Sequence, residues 1–183
     1  MYSNTVAAGD LFPGWTAAEG EAFAVRKEAR FRERAASQLA SLTTPGLQEL
    51  CARLSAAGVR CAAVTNAPRA NAELMLHSLG TIAGVPAIEH FSPLVIGDEC
   101  VHAKPHPEPY LAAMRALGVR PESCLAFEDS PSGASAAVCA GVRTIGILST
   151  QPASVLTQAG CSLLVRDFAD AALAQELSTW ARV

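Results

Sequence analysis

Apolar positions along this chain follow two rhythms, and the change between them falls near Pro45. Before it, Thr16 to Leu42 is rich in Ala, Glu and Arg, with Phe23, Phe31 and Leu39 interleaved and no proline, which predicts one amphipathic helix. Thr16 opens that helix with Glu19 three residues on, the spacing at which the two side chains cap each other's backbone N–H groups. It reads as a surface or lid helix.

Past Pro45, helical spacing alternates with short unbroken apolar runs. Helices are predicted over Leu47 to Ala57, stopped at Gly58; from Pro68 to Gly80; over Pro107 to Leu117, ended at Gly118; over Pro131 to Ala140; and over Ala169 to Ala181. Between them, Arg60 to Thr65, Leu94 to Ile96, Leu125 to Glu128, Arg143 to Leu148 and Ser162 to Val165 read as buried strands. Such alternation implies βαβ units, hence an α/β fold with a doubly wound, Rossmann-like parallel sheet covered on both faces.

Composition narrows the function. The chain has 183 residues, of which 50% are hydrophobic and 5% aromatic, enough for one core and a small appendage. A net charge of −3 offers no basic stripe, so no nucleic-acid partner is expected. No apolar run approaches the roughly 20 residues that span a bilayer, and Met1 to Asp10 lacks a basic flank and an apolar stretch. A cytoplasmic monomer with no membrane partner is the expectation. The six cysteines are spaced singly with no Cys-x-x-Cys, which disfavours zinc and suits buried thiols in a reducing compartment.

Candidate chemistry gathers where predicted strands end, the edge at which open α/β sheets bind ligands. Glu128 and Asp129 close one strand, and paired carboxylates there are reconciled by a hard divalent cation such as Mg²⁺. Ser130 and Pro131 then open a helix whose positive end faces the same place, although Asp129 and Ser130 equally read as plain helix caps. Lys104 is one of only two lysines and lies in a loop stiffened by Pro105 and Pro107. Its ammonium suits either phosphate neutralisation or a surface salt bridge. Thr65 and Asn66 end another strand and offer an anion-binding rim, or a local turn. His106 is assigned no catalytic role. Neither G-x-G-x-x-G after the first strand nor G-x-x-x-x-G-K-[ST] is present, so nucleotide binding lacks its signatures.

In combination, Val64-Thr65-Asn66-Ala67-Pro68-Arg69, Lys104-Pro105-His106-Pro107-Glu108-Pro109-Tyr110 and Phe127-Glu128-Asp129-Ser130 resemble the haloacid dehalogenase superfamily. The likeness is to its sugar-phosphate phosphatases near the β-phosphoglucomutase relatives, and it runs from about Thr44 to the C-terminus. The resemblance implies a Mg²⁺-dependent hydrolase of small phosphorylated metabolites. It casts Thr65 and Asn66 as phosphate contacts, Lys104 as catalytic charge stabiliser, Arg69 as a substrate contact or a surface residue, and Glu128 and Asp129 as metal ligands. It also suggests a cis Lys104–Pro105 peptide. Residues 1–43 would be a partial helical cap and 44–183 the α/β core.

One departure is large. Family members open with Asp-x-Asp-Gly on a central strand, its first aspartate being the nucleophile. None of the five aspartates here, Asp10, Asp98, Asp129, Asp167 and Asp170, forms that pair. The expectation is a truncated chain lacking the nucleophile-bearing strand, inactive by itself and of low stability. The alternatives are a non-catalytic phosphate- or metal-binding remnant, and a phosphomutase of the β-phosphoglucomutase type.

Overall fold

The computed structural model describes residues 12–38 and 44–180, with the side chains of 36–38 and 180 left aside. Helix α1 is Ala17–Gln38. Its start is the foreseen capping box: the Thr16 N–H donates to Glu19 Oε2 at 2.8 Å, and the Glu19 N–H donates to Thr16 Oγ1 at 3.3 Å. The expected continuation to Leu42 lies outside the described residues.

After Pro45 the elements are α2 Leu47–Ala56, β1 Cys61–Thr65, α3 Arg69–Ser78, β2 Thr81–Ile82, β3 Val85–Pro86, α4 Ala87–His90 and β4 Phe91–Ile96. Next come α5 Glu108–Leu117, β5 Leu125–Glu128, α6 Pro131–Cys139, β6 Arg143–Ile147, α7 Ala153–Gln158, β7 Leu163–Val165 and α8 Ala171–Trp180. Strand β4 begins three residues before the run Leu94 to Ile96; the Ser92–Pro93 peptide within it is cis, and its ladder with β1 shifts register between Cys61 and Ala63. The β2–β3 hairpin, α4 and α7 were not foreseen; each is too short to show a period.

All the long strands run parallel. Among the described residues they form two ladders, β1 with β4 and β5–β6–β7 in that order, and no ladder joins β1 to β5. Helices cover both faces of the three-stranded ladder. On one side Leu50 of α2 and Leu173 of α8 pack on Ile145, Ile147 and Val165. On the other, Met114 of α5 and Ala137 of α6 pack on Ala126. Ile145, Leu156 and Leu173 are essentially inaccessible, and burial of each stabilises the fold by about 1.5–3 kcal/mol. No helix among the described residues is long and apolar enough to cross a membrane.

This winding sends the carboxyl ends of β1 and β5 to one edge, where a side chain rather than a ladder connects them.

Candidate active site

That side chain is Lys104. It sits in the loop between β4 and α5, and the Lys104–Pro105 peptide is cis. Although a lysine, it is 6% exposed. Its ammonium donates to the Val64 carbonyl on β1 at 2.8 Å and pairs with Glu128 Oε1 at the end of β5. A third group closes the cluster: the Tyr110 hydroxyl donates to the same Glu128 oxygen, while the Tyr110 ring faces the ammonium at 5.1 Å. Burial, and then the Glu128 carboxylate, push the Tyr110 phenol well above its ordinary range, so it stays a donor.

Glu128 is 7% exposed, and its charge at the sheet edge is tolerated because Lys104 and Tyr110 share Oε1. Its other oxygen, Oε2, faces the start of α6, where Ser130 Oγ lies 3.5 Å away. Ser130 is the helix cap as well, accepting the Gly133 N–H at 3.1 Å. The plain capping role therefore holds for Ser130 but not for Asp129, whose Oδ2 accepts from Ser149 Oγ at 3.1 Å beyond β6.

The β1 side supplies hydrogen-bonding groups. Thr65 Oγ1 accepts the Ala67 N–H at 3.0 Å, which forms a tight turn and leaves the hydroxyl proton without an acceptor among the described residues. Asn66 departs from the expected open anion rim, because its side-chain amide is turned to the Lys104 backbone, donating to its carbonyl at 3.0 Å and accepting its N–H at 3.2 Å. Arg69, expected as a substrate contact or a surface residue, is exposed and held by Glu99 through two bonds of 2.6 Å and by Glu73 at 3.3 Å. Its guanidinium is committed to carboxylates. Those bonds hold the Glu99 carboxyl below the usual range.

Metal capacity follows from the same inventory. Among the described residues no three His, Cys, Asp or Glu side chains converge as a cage. Glu128 Oε2 and the exposed Asp129 carboxylate remain, and two carboxylates with water and phosphate oxygens suit Mg²⁺, which rarely takes an all-protein cage. The residues fit such an ion.

Beside Asn66, a cleft of ≈ 440 Å³ opens between α1 and α3, walled by Phe31 and Met75 and with Lys27 and Asn71 among its polar groups. Asn71 is 4% exposed; it donates to Glu28 Oε2 and accepts from Arg32 Nη1 at 2.9 Å, joining α1 to α3.

Sequence reasoning missed Tyr110, Gly133 and Asn71. A signal existed for the first, since Tyr110 precedes the buried Ala113 and Met114 by three and four residues, and a core-facing tyrosine needs a partner for its hydroxyl.

Comparison with known proteins bears on this arrangement. A family model described as haloacid dehalogenase-like hydrolase matches residues 7–141. Protein CbbY of Rhodobacter capsulatus is 40% identical over 101 residues, covering 55% of this chain and 43% of its own. Validoxylamine A 7'-phosphate phosphatase of Streptomyces hygroscopicus subsp. limoneus is 34% identical over 131 residues, covering 72% and 58%. A crystal structure of CbbY from Rhodobacter sphaeroides in complex with phosphate superposes with a TM-score of 0.63 at 30% identity, over 86% of this chain and 66% of that one. The chain spans about half the length of the curated relatives it matches.

Proposed function

As this chain belongs to the haloacid dehalogenase-like hydrolases, we propose that the Lys104 site binds the phosphate group of small phosphorylated sugars together with Mg²⁺, as a phosphoric monoester hydrolase does. The observation that carries the reading is the buried Lys104 ammonium, held between the Val64 carbonyl and Glu128 where β1 and β5 end. Glu128 offsets the cost of burying that cation, and the strand ends at which both lie are where open α/β sheets take ligands. The phosphate named in the solved CbbY complex and the phosphatase activity named for a 34% identical relative favour the same chemistry.

The roles follow from the donors. Thr65 donates its hydroxyl to a phosphoryl oxygen, and Lys104 offsets the charge on the same group. Glu128 and Asp129 would hold Mg²⁺, which when bound would neutralise phosphate and polarise the phosphorus–oxygen bonds. The ≈ 440 Å³ cleft beside Asn66 takes the sugar, whose hydroxyls suit Lys27 and whose carbon face suits Phe31 and Met75. The core of 44–183 then carries the phosphate chemistry, and α1 acts as part of a cap.

Turnover needs a nucleophile against phosphorus. Of the aspartates among the described residues, Asp98 lies in the turn Gly97–Glu99, Asp167 and Asp170 accept backbone N–H groups before α8, and Asp129 is allotted to the metal. Asp10 lies outside the described residues, and no aspartate of the sequence stands in an Asp-x-Asp pair; the proposal for this polypeptide is accordingly binding of phosphate monoester and Mg²⁺ without appreciable hydrolysis of its own. Calorimetry with a panel of sugar phosphates, run beside a phosphate-release assay, tests it. Binding without release is the expected outcome; no binding of any phosphorylated sugar would contradict it.

A further inference from the structure

Three observations meet at Asn66. Its amide makes a two-point contact with the backbone of a single residue, Lys104, which lies 38 positions away in sequence. Pro105 and Pro107 remove N–H groups on its C-terminal side, and the backbone of Lys104 pairs with Asn66 alone among the described residues. Finally, Gly97 leaves room for the contact: a Cβ on Gly97 would overlap Asn66 Oδ1 and crowd the Ala103 methyl.

We propose that Asn66 is a positioning residue, which fixes Lys104 by its backbone and so determines where the ammonium enters the site. It does not contact phosphate through its side chain. Lysine has a long stem, whose rotatable bonds give the charge many places to be. Pinning the backbone at one end, with Val64 and Glu128 receiving the ammonium at the other, leaves few torsional combinations that span both anchors. A carboxamide is suited to this task because it carries a donor and an acceptor side by side. Aspartate in its place would set an anion against the Lys104 carbonyl. The importance of this placement for phosphate rests on the reading of the preceding subsection, whereas the placement itself is measurable without it.

The chain has only two lysines, Lys104 and Lys27, the second 48% exposed. Labelling with limiting acetic anhydride, read by peptide mass spectrometry, therefore gives a Lys104-to-Lys27 ratio with an internal reference. In the unaltered protein Lys104 labels far less than Lys27. Asn66→Asp is expected to raise the ratio at least tenfold, and Gly97→Ala, which reaches the same contact from the opposite side, is expected to do likewise. The control is Ile145→Val, a core truncation in β6, which leaves the ratio unchanged. An unchanged ratio in folded Asn66→Asp and Gly97→Ala overturns the proposal, and so does an equal rise in Ile145→Val. Orthophosphate with Mg²⁺ is titrated into the unaltered protein in parallel. Failure to bind there contradicts the phosphate reading and leaves the labelling result to decide the role of Asn66.

Discussion

Gly133 lies directly beneath the carboxylate of Glu128, so close that a Cβ on the glycine would overlap the carboxyl group. The first turn of α6 thus reaches the sheet edge only because position 133 has no side chain. Gly133→Ala should displace Glu128 from Lys104 and Tyr110 and cost about 1–3 kcal/mol, as overpacking of a filled interior does. Urea denaturation against Ser132→Ala, a change in the same turn, checks this; equal stabilities would show that Glu128 moves aside freely.

The pairing of Lys104 with Glu128 makes a second prediction about charge. Lys104→Met leaves a carboxylate buried against an apolar stem and should destabilise by about 3–5 kcal/mol. Glu128→Gln in the same molecule removes the orphaned charge, so the double variant should recover much of the loss. A double-mutant cycle by chemical denaturation reads the coupling directly, and additive losses would mean that the pair is not coupled.

Asn71 predicts how α1 is held. Asn71→Leu leaves Glu28 and Arg32 without this shared partner, at a cost of about 1–3 kcal/mol for polar groups deprived of their bond. The loss should appear as faster amide exchange in Ala17–Gln38 with β5–β6–β7 unaltered. Uniformly faster exchange would place Asn71 in the common core instead.

Cys51 sets an alkaline limit. Burial, with a smaller push from the Cys61 thiolate, raises its pKa from 9.0 to about 12, so the folded state keeps the proton that the unfolded chain gives up first. The stabilisation is complete below pH 9.0 and is lost as pH rises towards about 12, at no more than about 1.4 kcal/mol per pH unit. Denaturation midpoints between pH 8 and pH 11 should fall, and Cys51→Ala should flatten the slope. A slope unaffected by that change would assign it to other groups.

Much of this was legible in the sequence, for a reason that differs between fold and site. Strands such as Leu125–Glu128 were read to the residue because burial on both faces makes them continuous apolar runs bounded by polar turns. The capping box at Thr16 and Glu19 is a local code and was equally plain. Thr65, Lys104 and Glu128 stood out as polar groups at strand ends, and the fold brings Lys104 and Glu128 together with the β1 end that carries Thr65. The direction of each side chain was not legible. Asn66 reads as part of an anion-binding rim or a local turn with Thr65, yet a loop 38 residues on claims its amide. Arg69 reads as a substrate contact or a surface residue, and its ion pair with Glu99, which follows β4, is not legible in the sequence. Tyr110 and Gly133 acquire meaning only from what lies opposite, and no one-dimensional pattern records that.

The most direct test of the central claim, that Lys104 and its neighbours form a phosphate site, is a calorimetric titration of orthophosphate with and without Mg²⁺. The Lys104→Met/Glu128→Gln double variant, which keeps the site neutral, serves as comparison. The account predicts saturable one-site binding that Mg²⁺ strengthens and that the double variant weakens by roughly 10- to 10²-fold, the scale of a hydrogen bond to a charged group. Equal affinity in the two proteins, or no saturable binding in the unaltered one, would contradict it.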